Sequence, residues 1–89
     1  MKIKEGFMLR EVAGSYVVVA VGTRSEEFNG MVNLNSTGAF LWKCLEKGGD
    51  KESLTQALLD EYEVSEELAA KDVERFLDIV TTNHFAEEA

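Results

Sequence analysis

The tightest constraint in this sequence lies between Gly30 and Trp42, GMVNLNSTGAFLW, where an alternating pattern turns into a helical one with almost no loop between them. Met31, Asn33 and Asn35 fall on one parity and Val32 and Leu34 on the other, the period of a short strand with one buried face. Asn35 and Ser36 follow at once. Either side chain can accept one of the backbone N–H groups that the first helical turn leaves unpaired, so a helix is expected to begin there. The stretch carries no obvious catalytic group. Whatever specific task it performs is expected to rest on shape and exposed backbone rather than on bond-making chemistry.

Two further strands are predicted upstream. Phe7–Val12 and Ser15–Val21 are β-rich runs separated by Ala13-Gly14, a hairpin signal because glycine takes positive φ at little cost. Phe7 and Leu9 share one parity, as do Val17, Val19 and Val21, so each strand is expected to turn that face to a core. Tyr16, Val18 and Ala20 are mostly apolar too, which points to partial cover on the other face. The polar run Gly22–Asn29 then reads as a loop, and Gly30–Leu34 as a third, edge strand.

Three helices are expected after it. Phe40, Leu41, Cys44 and Leu45 form a stripe that ends at Gly48-Gly49, and Trp42 sits at the boundary of that stripe with its indole N–H turned to a partner or to water. Asp50 is expected to cap a second helix with Leu54, Ala57, Leu58 and Tyr62 on its buried side. Ser65 caps a third, with Glu66 and Glu67 in the first turn, where carboxylates favour the positive end of the helix dipole. Ala69, Val73, Phe76, Leu77 and Val80 line one face of this helix, and Leu68, Asp72, Arg75 and Ile79 lie on the flank beside it. Two faces need two partners, and the flank reads as the wall of a groove left partly open. Asn83 is expected to take a left-handed cap, Phe85 to fold back as a hydrophobic closure, and the tail to fray.

The totals restrict function by exclusion. At 89 residues the chain is expected to be one domain, residues 1–89 with a core from 7 to 85, and 45% hydrophobic content is too high for a disordered chain. The six-residue apolar run Tyr16–Val21 is far short of the roughly 20 residues that span a bilayer, so no membrane association and a cytoplasmic location are expected. One cysteine, Cys44, agrees with a reducing compartment. Residues 1–44 hold five Lys/Arg and four Asp/Glu, so of the net charge of −8 the remaining residues carry −9. An acidic helical half argues against nucleic acid as a partner, because such binding is driven by neutralising phosphates. His84 has no second ligand at metal spacing, and Cys44 has no base at helical spacing. No nucleophile, phosphate-binding, dinucleotide or zinc motif is present, so no cofactor, no metal and no catalysis are expected.

Three antiparallel strands followed by a three-helix bundle is an α+β, winged-helix-like order. The residues also resemble a known family. Leu9–Val12 (LREV), the valine strand, the junction Leu34–Trp42 (LNSTGAFLW), Leu58–Tyr62 (LLDEY) and Asp72–Leu77 (DVERFL) together resemble the PqqD-like family, the recognition elements of pathways that modify ribosomally made peptides. The resemblance runs over residues 7–85. It implies a non-catalytic peptide chaperone that captures the leader segment of a precursor peptide by strand addition and presents it to a modifying enzyme, often a radical S-adenosylmethionine enzyme. By position it implies that Gly30, Met31, Val32, Asn33 and Leu34 supply backbone hydrogen bonds while Leu68, Asp72, Arg75, Phe76 and Ile79 line the groove. The quinone branch of the family is not singled out by these motifs. The acidic third helix points to a leader with Lys or Arg near its anchors.

Two other classes share this outline. A DNA-binding winged helix needs a basic recognition helix, whereas Lys71 and Arg75 here stand against Glu66, Glu67, Asp72, Glu74 and Asp78. A self-associating module, a homodimer joined through the sheet edge, would use the same strand that receives a leader.

Overall fold

The computed structural model describes residues 1–22 and 31–88. Gly30 and most of the expected polar connection lie outside them. Strand β1 (Lys2–Ile3) is followed by β2 (Phe7–Val12), β3 (Ser15–Ala20) and β4 (Val32–Leu34), then by helices α1 (Ser36–Glu46), α2 (Lys51–Glu61) and α3 (Glu66–Thr82), and by β5 (Ala86–Glu87). Among the described residues the antiparallel sheet has the order β2-β3-β4, so β4 is an edge there. With three helices after it, the α+β winged-helix-like expectation holds.

The hairpin turn decides which face of the sheet is buried, and it is not the face expected from the valines. Ala13 and Gly14 both have positive φ, 51° and 81°, as a two-residue type I′ turn requires. That turn sets Val12 opposite Ser15 and Phe7 opposite Ala20, so Leu9 pairs with Val18, which in turn pairs with Val32. Phe7 and Leu9 must therefore share their face with Tyr16, Val18 and Ala20. This is the face the helices cover: Val18 is fully buried, and Leu34 joins it in the core. Val17 and Val19 point to the other side, together with the exposed Met8 and Val12. Val17 is nonetheless buried there, flanked by Arg10 and Asn33 on the neighbouring strands.

The helices start where their caps are written. Asp50 Oδ1 accepts from the Ser53 amide at 2.8 Å and Ser53 Oγ from the Asp50 amide at 2.9 Å, a reciprocal box that satisfies two otherwise unpaired donors. Ser65 Oγ accepts from the Leu68 amide. In α1 the buried set is Gly38, Ala39, Leu41, Trp42 and Leu45, so the stripe is rotated from the expected Phe40-Cys44 line. Phe40 instead meets Tyr62 edge-on, with 5.6 Å between ring centroids. Trp42 is not a boundary residue. It has no exposed surface, and its indole nitrogen has no hydrogen-bond partner among the described residues.

The chain ends are also firmer than expected. Asn83 keeps φ −94° and His84 takes the left-handed position at φ 56°. His84 N then donates to Thr81 O and Phe85 N to Val80 O, the paired bonds of a Schellman closure. Phe85 turns back into the core as expected, and beyond it Ala86–Glu87 pairs with Lys2–Ile3, so of the tail 87–89 expected to fray Glu87 is held in a strand, while Ala89 lies outside the described residues. Ile3 is buried in the same cluster as Phe85, so the N-terminal strand joins the hydrophobic core.

Candidate functional site

The groove lies where the edge strand β4 and the flank of α3 face each other. One residue, Asn35, separates β4 from α1. Its backbone stays extended, its Oδ1 accepts from the Gly38 amide at 2.7 Å and its carbonyl accepts from Ala39. The turn is this tight because residue 38 has no side chain: a Cβ there would stand 3.1 Å from Asn35 Oδ1 and 3.3 Å from Leu34 Cβ. Helix α1 therefore begins directly over the end of β4.

Helix α3 supplies the opposite wall. Ala69, Val73, Phe76 and Val80 are buried, which fixes the rotation of the helix and leaves Asp72, Arg75 and Ile79 along the side nearest β4. A cavity of about 150 Å³ opens between the two elements, lined by Asn33, Leu34, Asn35, Thr37 and Gly38 on one side and Asp72, Arg75, Phe76 and Ile79 on the other. Its floor is apolar, from Leu34, Phe76 and Ile79, and its rim is polar and charged.

Six of the expected site residues are thus brought together: Asn33, Leu34, Asp72, Arg75, Phe76 and Ile79. Val32 is on β4 but half-buried against the core, and Met31 precedes the strand with 72% of its surface exposed. Leu68 is exposed and lies one turn before Asp72 on the same row, outside the cavity lining. Gly30 is outside the described residues. Asn35, Thr37 and Gly38 were not expected in the wall. The signal for them was the absent loop: a helix that starts at the last strand residue must lay its first turn beside the strand end.

Other reactive groups lie elsewhere. Burial raises the Cys44 thiol pKa; Lys47, three residues further on, opposes this effect, against the expectation that no basic side chain stands at helical spacing, and Glu61 adds to it, which leaves the sulfur a poor nucleophile at neutral pH. His84 serves the α3 closure. Among the described residues no group of three or more His, Cys, Asp or Glu is placed to hold a metal, and no helix is long and apolar enough to cross a membrane.

The likeness to known proteins is of two kinds. In fold, the solved structure of TbiB1 in complex with the TbiA(beta) leader peptide is similar with a TM-score of 0.74 and 22% identity, covering 100% of this chain and 98% of that one. The structure of lasso peptide synthetase B1 complexed with the leader peptide is similar with a TM-score of 0.71 and 21% identity, covering 98% and 96%. No curated protein matches in sequence. The profile of PqqD, coenzyme PQQ synthesis protein D, matches residues 15–85, from the start of β3 through the edge strand and all three helices to Phe85. A match over that span, on a fold that keeps β4 at the edge and α3 beside it, means that this chain belongs to the PqqD family.

Proposed function

We propose that this protein is a non-catalytic peptide-binding adaptor, which takes the leader segment of a ribosomally made precursor as an added strand on β4. The observation that carries this reading is the pairing of an open strand edge with an apolar-floored cavity beside it. An edge strand offers unpaired N–H and C=O groups to an extended chain. Alternate side chains of that chain then point to one side, where Leu34, Phe76 and Ile79 receive them. Residues 30–34 supply the backbone in this reading, and Leu68, Asp72, Arg75, Phe76 and Ile79 the wall.

The two solved structures of similar fold each hold a leader peptide, and the PqqD membership supports the same class of ligand here. The captured precursor is handed to a modifying enzyme, in our reading a radical S-adenosylmethionine enzyme. Buried anchors contribute about 1.5–3 kcal/mol each and net hydrogen bonds about 0.5–1.5 kcal/mol apiece, while ordering a disordered leader takes back several kcal/mol. Binding in the micromolar range is expected.

Titration of isotope-labelled protein with the precursor peptide encoded beside its gene tests the reading. Amide shifts concentrated at Met31–Leu34 and on α3 are expected. Saturable binding that leaves those amides unmoved would overturn the assigned site, and the absence of any binding would overturn the function.

A further inference from the structure

Net charge alone points to a basic ligand, since residues 45–89 carry −9 and α3 holds five acidic residues against two basic ones. The groove itself has a different balance. Of the α3 carboxylates only Asp72 lines the cavity, and it does so next to Arg75. Glu74 is turned to Lys51, whose Nζ lies 2.6 Å from its Oε1, and Glu66, Glu67 and Asp78 are not in the lining. The acidity of the helix therefore belongs mostly to its other faces, and among the described residues the groove presents one negative and one positive group.

We propose that Asp72 and Arg75 set the charge pattern of the bound peptide: basic, acidic and apolar residues at alternate positions, with the acidic residue in the middle. This rests on the strand-addition reading above. Both groups stand at the rim with no ion-pair or hydrogen-bond partner among the described residues, so a ligand meets two charges that the protein has not already neutralised. Their order along α3 fixes the order on the ligand. Asp72, Arg75 and Ile79 follow one another along the groove, separated by about 4.5 and 6 Å of helix rise. An extended chain presents same-side residues about 6.6–6.8 Å apart, close enough for long side chains to meet that series one for one.

A peptide with only basic residues near its anchor would leave the Arg75 guanidinium facing like charge, and a purely acidic one would do the same to Asp72. The groove therefore discriminates by sign and order, and the acidic position stays central whichever direction the peptide runs. Ile79 and Leu34 hold the apolar member of the set.

Selection from a display library of random extended peptides of about a dozen residues tests this against the whole protein. Expected is enrichment of a basic and an acidic residue two positions apart, with an apolar residue two beyond the acidic one. The double variant Asp72→Lys with Arg75→Glu, checked for native circular dichroism, should enrich the opposite signs at the same spacing. Asp72→Asn and Arg75→Gln should each weaken an enriched peptide by about threefold to fivefold, with the loss shrinking at high salt. Enriched peptides that shift the Val32–Leu34 amides but show no charge pattern would overturn the charge proposal alone. Peptides that bind without moving those amides, or a selection that enriches nothing, would overturn the strand-addition reading and this inference with it.

Discussion

The ring of Phe85 meets the indole of Trp42 edge-on, with 5.7 Å between centroids and 76° between planes. The Phe85 ring centroid also lies 4.8 Å from that of Phe7, and the Phe85 carbonyl accepts from Lys4 N at 2.8 Å. One residue thus joins the end of α3, the middle of α1 and the start of the sheet. Phe85→Ala is expected to cost about 3–5 kcal/mol, the range for emptying a buried aromatic site. Urea denaturation measures it. Because the same ring fixes the end of α3, peptide affinity should fall in the variant even where it is still folded.

The two residues at the bottom of the groove will behave differently when truncated. Phe76 is buried among core side chains as well as lining the cavity, so Phe76→Ala should lower stability and binding together. Ile79 is only half-buried and sits on the groove flank. Ile79→Ser should reduce peptide affinity about tenfold with a stability change under about 1.5 kcal/mol. Calorimetric titration beside a thermal melt separates the two.

At Gly38 a methyl group has nowhere comfortable to go. Alanine normally gains roughly 0.5–1 kcal/mol over glycine inside a helix. Here its Cβ would press on the Asn35 cap oxygen and on Leu34, the last residue of the edge strand. Gly38→Ala is expected to forfeit the propensity gain and weaken peptide binding by displacing the end of β4. Amide shifts at Asn33 and Leu34 in the free variant would report that displacement.

Ala13 holds the left-handed conformation that asparagine tolerates better. Ala13→Asn should raise stability by about 0.5–1 kcal/mol and leave peptide binding unchanged, since neither Ala13 nor Gly14 lines the cavity. A shifted urea midpoint with an unchanged Kd is the expected pair of results.

The cap on α2 makes stability depend on acid. Hydrogen bonds from Ser53, first its backbone amide and then its hydroxyl, hold the Asp50 carboxyl below the ordinary value of 3.8. A depressed carboxyl stabilises the fold above its unfolded pKa, and that contribution is lost as pH falls through the lower folded value. The Asp50→Ala variant should therefore be less stable than the parent above pH 3.8, with the two curves converging below it. Melting temperature against pH reads this directly.

The strand–helix junction, the helix caps and the closing phenylalanine were legible because each depends on neighbours in sequence. Asn35 caps the turn that follows it, Asp50 and Ser53 answer each other three residues apart, and Phe85 closes the helix that precedes it. The open flank of α3 was legible for the same reason, since a helix buried along Ala69, Val73, Phe76 and Val80 must leave Asp72, Arg75 and Ile79 beside that stripe.

Which apolar face of the hairpin is buried was a different kind of question. Val17 and Val19 are as hydrophobic as Val18, and only the register imposed by Ala13-Gly14, with helices docked on the Phe7–Leu9 side, separates them. The same holds for the burial of Trp42, for the pairing of Lys2–Ile3 with Ala86–Glu87, and for the even charge balance of a groove cut into an acidic half. Caps and periods are settled within a few residues of backbone, so the sequence alone determined where the elements begin and what each could bury. Contacts between residues distant in sequence depend on how those elements stack, and the tertiary structure alone decided which face met the core and which charges met the groove.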